Sequence, residues 1–332
     1  MSNQTLLDTI DPEIVETLVS RRDAIRKGAS VSALAAASLA AGSIPLALGA
    51  LASEAGAQGT AGDVLAVLKF AYLLENLEAE FYKTVLGTGT GFSATNNPQA
   101  AAFTVRSQFS ATEVASLDQI RIHEEAHVAL LKATLGTLGF SAPTFTGADF
   151  DFTGGVGTTP GAGPFAGATT NKAFLLVATQ GFEDTGVRAY KGQVTNLMGD
   201  ANSAVLETAL RIHSVEARHA AKIRRLRRQA TTSNTVVRYS GTIRGGGAAA
   251  AGASDVSNPP AAVVTALGLI YGGEDNATQA GKSITGLAGL TGFGIPSGDL
   301  ANAATEAFDE PLDKATVIQI VSGFVRNAKG LI

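Results

Sequence analysis

Residues 121–135 read RIHEEAHVALLKATL, and residues 213–224 read HSVEARHAAKIR. Each stretch holds a Glu-x-x-His step, Glu124 with His127 and Glu216 with His219. Three residues along an α-helix rise about 4.5 Å on one face, so a carboxylate and an imidazole so spaced reach a common point. The chain has only 4 histidines, and two of them stand in these steps. A Glu-x6-Tyr element precedes each: Glu75 and Tyr82 within LLENLEAEFY (73–82), and Glu183 and Tyr190 within GFEDTGVRAYKG (181–192). Seven residues make almost two turns, which puts each tyrosine on the stripe of its glutamate. Four segments that read as helices therefore offer four carboxylates and two imidazoles. That is the donor set with which four-helix bundles hold two metal ions in their core.

The pattern around these elements predicts the wiring. Apolar positions recur at helical spacing over 63–86, through Leu68, Phe70, Leu74, Leu77, Phe81 and Val85. A second helix opens on the capping box Ser110 to Glu113 and runs to about 138. A third spans about 171–197 and a fourth about 202–228, with only Met198 to Ala201 between them, so these two must be antiparallel neighbours. Residues 139–170 are a long Gly-, Thr- and Phe-rich connection that can travel the length of the bundle. Residues 87–109 read as a surface excursion. The chain thus reads as two copies of one unit, a Glu-x6-Tyr helix followed by a Glu-x-x-His helix. The expected fold is all-α, a four-helix bundle over 62–229 with one long crossover.

Beyond the bundle, 230–258 reads as a Gly/Ala-rich linker with a short strand at 235–244. Residues 259–332 read as a small helical appendage, with helices at about 260–271, 299–308 and 313–328. At the other end, Arg21-Arg22 is followed by a weakly apolar Ala/Ser/Leu/Gly run and by Ala55-Gly56-Ala57. This arrangement resembles a twin-arginine export signal over 1–57, with Ala24 standing where a bulky apolar residue is usual. Cleavage near Ala57 would leave a periplasmic or extracellular protein; an N-terminal membrane anchor is the rival reading, disfavoured by Pro45. A net charge of −4 argues against nucleic acid as a partner. Cysteine is absent, which excludes disulfides and thiolate sites and leaves carboxylates and imidazoles to hold any metal, donors suited to iron or manganese and, less distinctively, to zinc.

On the phrases at 73–82, 121–135, 181–192 and 213–224, the chain resembles the ferritin-like superfamily, and within it an exported bacterial branch related to desiccation-related proteins. The resemblance covers about 63–228. It implies two Fe or two Mn ions per chain. Glu75 and Glu183 would be terminal ligands, Glu124 and Glu216 would bridge, and His127 and His219 would each complete one ion. Glu78, one turn after Glu75, is an alternative or additional ligand. Tyr82 and Tyr190 would stand just outside the ligands, either as hydrogen-bond donors with a part in the chemistry or as core filling. The implied chemistry is oxidoreductase work on Fe(II), dioxygen or peroxide, ferroxidase- or manganese-catalase-like. The implied partners are those small molecules and the twin-arginine export machinery, and a homo-oligomer is compatible with the sequence.

Two rival readings stand beside this one. The first is a structural or stress-associated bundle without turnover. The second is a zinc protease, because His123-Glu124-Glu125-Ala126-His127 is also a literal H-E-x-x-H. The protease reading lacks a third ligand downstream and leaves Glu216 and His219 unexplained. His123, outside the bundle pattern, reads as either an outer neighbour of a ligand or an exposed helix residue.

Overall fold

The computed structural model describes residues 61–199, 202–230, 261–279, 281–284 and 308–332. The export segment expected over 1–57, all but residue 230 of the linker expected over 230–258 with its strand at 235–244, and most of the helix expected at 299–308 lie outside the described residues. Four long helices make the bundle: α1 (Ala61–Leu86), α2 (Ala111–Thr137), α3 (Lys172–Gly192) and α4 (Ser203–Ala230). Their sequences explain their places. α1 and α3 are buried almost all round, α3 without a break from Phe174 to Ala189. α4 instead turns Glu207, Arg211, Ser214, Arg218 and Arg225 to solvent. A helix apolar on every side must lie inside, and one with a charged stripe lies at the surface. Among the described residues, no helix is long and apolar enough to cross a membrane.

Cross-helix pairs set the directions. Tyr82 meets Glu183 and Tyr190 meets Glu75, so α1 and α3 run antiparallel. Glu75 meets His127 near the middle, and Leu68 lines one cavity with Leu131 towards the far end, so α1 and α2 are antiparallel too. α2 and α3 are therefore parallel, and the chain between them has to return along the bundle. Residues 139–170 make that return as a packed layer. Phe145, Phe150, Phe152 and Phe165 are all buried. Phe150 bridges Val325 near the C-terminus, and the Phe324 ring lies 5.4 Å from Phe165 and 4.9 Å from Phe182. Asp151, fully buried, accepts from the amides of Thr153 and Gly161 and pairs with Arg326 at 3.2 Å.

Three local readings change. α3 ends at Gly192, and the chain continues as a 3-10 turn, Val194–Leu197, instead of α-helix through 197. At that end the backbone of Leu312 passes so close to Gly192 that a Cβ there would lie 1.8 Å from the Leu312 carbonyl oxygen, so only glycine fits. Residues 87–109 are more than a surface excursion. They contain two 3-10 turns, bury Phe103 and Val105, and tie Asn97 to Thr84 at 2.8 Å. The basic run Lys222, Arg224, Arg225, Arg227 and Arg228 reads as cations complementing the end of a helix dipole, but Arg224 points inward to Asp184 and Arg227 to Gln180.

The appendage is bound to the bundle through α3. It contains α5 (Ala261–Ile270), a two-residue hairpin pairing β1 (Thr278–Gln279) with β2 (Lys282–Ser283), and α6 (Lys314–Val321). Arg188, only 2% exposed, donates to the carbonyls of Ile270, Gly272 and Glu310 and lies 3.0 Å from Glu274. Tyr271 donates to Asp184 at 2.7 Å. Removing one member of so buried a polar set strands the others, at a cost of about 3–5 kcal/mol. Arg188→Ala is accordingly expected to lower the unfolding free energy by about that much in a denaturant titration, and to expose the C-terminal region to limited proteolysis.

At the start of α2 the capping box is complete: the Ser110 hydroxyl accepts from the Glu113 amide, and the Glu113 carboxylate accepts from the Ser110 amide at 2.8 Å. Ser110→Ala should cost about 1 kcal/mol, read as a fall in Tm. Slight burial alone would raise the Glu113 carboxyl, but Lys172 and Ser110 outweigh it and hold it below the usual range. The stabilisation is present above the unfolded-state carboxylate range and fades as pH falls through the lowered value. Glu113→Gln should flatten that part of the acid unfolding curve.

Candidate metal centre

The middle of the bundle gathers the six side chains that the repeat singles out. Glu75, Glu124, His127 and Glu216 form one group, and Glu124, Glu183, Glu216 and His219 a second; within each, one donor atom per residue lies within 4.8 Å of every other. Glu124 and Glu216 belong to both groups, while Glu75 with His127 and Glu183 with His219 occupy the two ends. The helices dictate this. α1 and α3 each contribute one glutamate, and α2 and α4 each contribute a carboxylate and an imidazole from a single face.

The geometry is one of convergence on shared points. His127 Nδ1 lies 3.0 Å from Glu75 Oε2, 3.1 Å from Glu124 Oε2 and 3.2 Å from Glu216 Oε1. A single N–H cannot point at three oxygens. His219 Nδ1 lies 2.7 Å from Glu124 Oε1 and 3.2 Å from Glu183 Oε2, yet makes no hydrogen bond among the described residues. Glu124 Oε1, Glu183 Oε2 and both oxygens of Glu216 are likewise buried without a hydrogen-bond partner.

Electrostatics make the same point. All four glutamates are 0% exposed, and burying an ionised carboxylate without a counter-charge costs several kcal/mol. Burial opposes a charged His219, but Glu124, Glu183 and Glu216 outweigh it and push the ring up to about 12. His127 is raised likewise against burial, chiefly by Glu75 with Glu124 and Glu216. Burial, then the charge of Glu216, lifts Glu124 well above the usual carboxylate range. Two divalent cations would balance the charge of four carboxylates and leave both imidazoles neutral. The oxygen and nitrogen donors, the orphaned atoms and the charge all fit a pair of hard or borderline divalent ions.

The two tyrosines are placed crosswise. Each lies on the stripe of its own helix's glutamate but donates to the other half's: Tyr82 to Glu183 Oε1, and Tyr190 to Glu75 Oε1. Spacing within one helix could not reveal that exchange. Burial and then the partner glutamate raise both phenols well above their ordinary value, so both keep their protons.

Other candidates fall elsewhere. Glu78 is buried close by but belongs to neither group. Burial and then the charges of Glu216, Glu124, Glu183 and Glu75 push its carboxyl well up. Room for it comes from Gly186, where a Cβ would lie 3.3 Å from both Glu78 Oε1 and Glu216 Oε2. Gly186 stands three residues after Glu183, as Glu78 does after Glu75, so comparing the halves could have exposed this pair. Glu80 and Glu125, off the ligand stripes, read as solvated from their helix positions; Glu80 is instead buried, with Lys83 at 2.7 Å, and Glu125 accepts from Thr90 and Arg121. The H-E-x-x-H reading requires His123 and His127 on one ion with Glu124 free. Instead Glu124 stands in both groups and His123 in neither.

A mostly parallel-and-antiparallel four-helix bundle with one crossover and this central donor set defines a ferritin-like class of protein. Residues 63–229, half of the chain, match the ferritin-like domain family, and the chain belongs to it. No curated protein and no solved structure matches the chain.

The cost of four buried carboxylates generates a direct test. The variant Glu124→Gln should be at least as stable as wild type in the presence of a chelator, because a neutral amide replaces the acid that burial and the charge of Glu216 disfavour. Added Mn2+ or Fe2+ should raise the Tm of wild type and leave the variant unmoved, as thermal denaturation will show.

Proposed function

We propose that the bundle holds two iron or two manganese ions, and that the protein is an exported oxidoreductase acting on Fe(II), dioxygen or peroxide. The observation that carries this reading is the pair of overlapping donor groups sharing Glu124 and Glu216. Sharing two carboxylates keeps two ions close together, which separate sites would not. In this reading Glu75 and His127 hold one ion, Glu183 and His219 the other, and Glu124 and Glu216 lie between. When bound, iron or manganese supplies electron transfer to and from O–O bonds.

The rest is the work of the chain itself. Full burial of the four glutamates excludes bulk water from the centre. Tyr82 and Tyr190 hold a proton at one oxygen of each terminal glutamate, which orients that carboxylate and leaves its other oxygen for the ion. Export through the twin-arginine route, and membership of the exported branch related to desiccation-related proteins, complete the reading. A route that carries folded proteins would let the metal be chosen in the cytoplasm, where affinity order alone need not decide it.

Elemental analysis of protein purified from its native compartment should find about two Fe or Mn per chain. The same preparation should consume peroxide or dioxygen measurably. Glu75→Ala combined with His127→Ala should lose at least one metal equivalent and the turnover with it. Unchanged metal content in that variant would refute the ligand assignment, and full loading without consumption would leave the structural, stress-associated reading.

A further inference from the structure

The two ends of the centre are not built alike. His123 Nδ1 lies 2.9 Å from Nε2 of His219, the ring nitrogen that faces away from the carboxylates. The two rings are nearly parallel, 13° apart with centroids at 5.2 Å. His123 Nε2 in turn lies 2.8 Å from the side-chain amide of the exposed Gln119. The end group of Glu183 and His219 is thus linked through one imidazole to the surface of α2. At the other end the internal repeat offers no counterpart. The residue immediately before Glu216, in the place His123 has before Glu124, is Val215, which has no polar side-chain atom.

Resting on the di-metal reading above, we infer that His123 is a positioning residue that selects the metal-binding tautomer of His219 and makes the two ion positions unequal. A ligating imidazole binds metal through an unprotonated nitrogen and carries its hydrogen on the other, and the partner of that N–H fixes both tautomer and ring orientation. His219 turns Nδ1 to the carboxylates, so Nε2 must carry the hydrogen and donate it to Nδ1 of His123. His123 then carries its own hydrogen on Nε2 and needs an acceptor there. Gln119 supplies one by presenting its amide oxygen, since either end of a side-chain amide fits that place. The loaded centre therefore imposes one direction on the whole chain, His219 to His123 to Gln119. In the opposite direction Nδ1 of His219 holds a hydrogen and cannot ligate. His127, with no such neighbour among the described residues, is not subject to this selection.

Zinc, a diamagnetic ion that accepts the same donors, serves as the probe. Titrated into the full chain against a competing chelator, wild type should take up two equivalents. Nitrogen–proton correlation spectra of the loaded protein should then show His123 and His219 both protonated at Nε2 alone. His123→Leu should weaken one zinc equivalent by about 10–100-fold and leave the other unchanged. His123→Gln, which restores an acceptor oxygen, should recover most of that loss. Both zinc affinities unchanged from wild type in His123→Leu, or a proton on Nδ1 of His123 in the loaded wild type, would overturn the inference while leaving the di-metal reading intact. Should His123→Leu fail to fold, the wild-type spectra and the Gln variant decide. No zinc uptake by wild type would sink the di-metal reading, and this inference with it.

Discussion

Four carboxylates with no access to water, packed against two imidazoles, are the constraint on which the rest of this molecule depends. Like charges so placed repel, and the surrounding apolar helices cannot screen them. The carboxylates accordingly raise both imidazoles, and burial with the charge of Glu216 lifts Glu124. The arrangement persists because the scaffold over-determines it. α1 and α3 are buried on nearly every side, the aromatic crossover covers the bundle, and Arg188 and Asp184 bind the C-terminal segment onto α3. Stability is held elsewhere so that the centre can be electrostatically unfavourable. That division is common where a site must bind ions and not merely pack.

Much of this was legible in the sequence because helical periodicity does most of the positioning. The Glu-x-x-His steps put Glu124 with His127 and Glu216 with His219 on single faces, and the structure gathers all six expected side chains at one level. The short link at 198–201 makes the last two bundle helices antiparallel, and the long connection at 139–170 allows the crossover. The capping box at Ser110 and Glu113 opens α2 where the sequence puts it.

What stayed hidden shares one physical character: it depends on contacts between segments far apart in the chain. The need for glycine at 192, the last residue of α3, is set by Leu312, more than a hundred residues later. Helical spacing alone leaves open what Arg188 meets, and only the carbonyls of Ile270, Gly272 and Glu310 make it a buried anchor. Residues 139–170 show their glycines and phenylalanines plainly, but not that Phe150 and Phe165 would meet the chain near 324. Nor does spacing tell whether His123 faces solvent or a ligand, since that depends on where α4 presents His219.

The crosswise tyrosines bear on how such a molecule can be divided. Each half of the repeat lends its phenol to the acid of the other and keeps none for its own. Neither half is therefore self-sufficient, although each carries a complete set of residue types. A gene cut within the crossover would yield two pieces whose acids lack their donors until they find one another. The duplication visible in the sequence is better regarded as a partnership preserved inside one polypeptide than as two modules strung together.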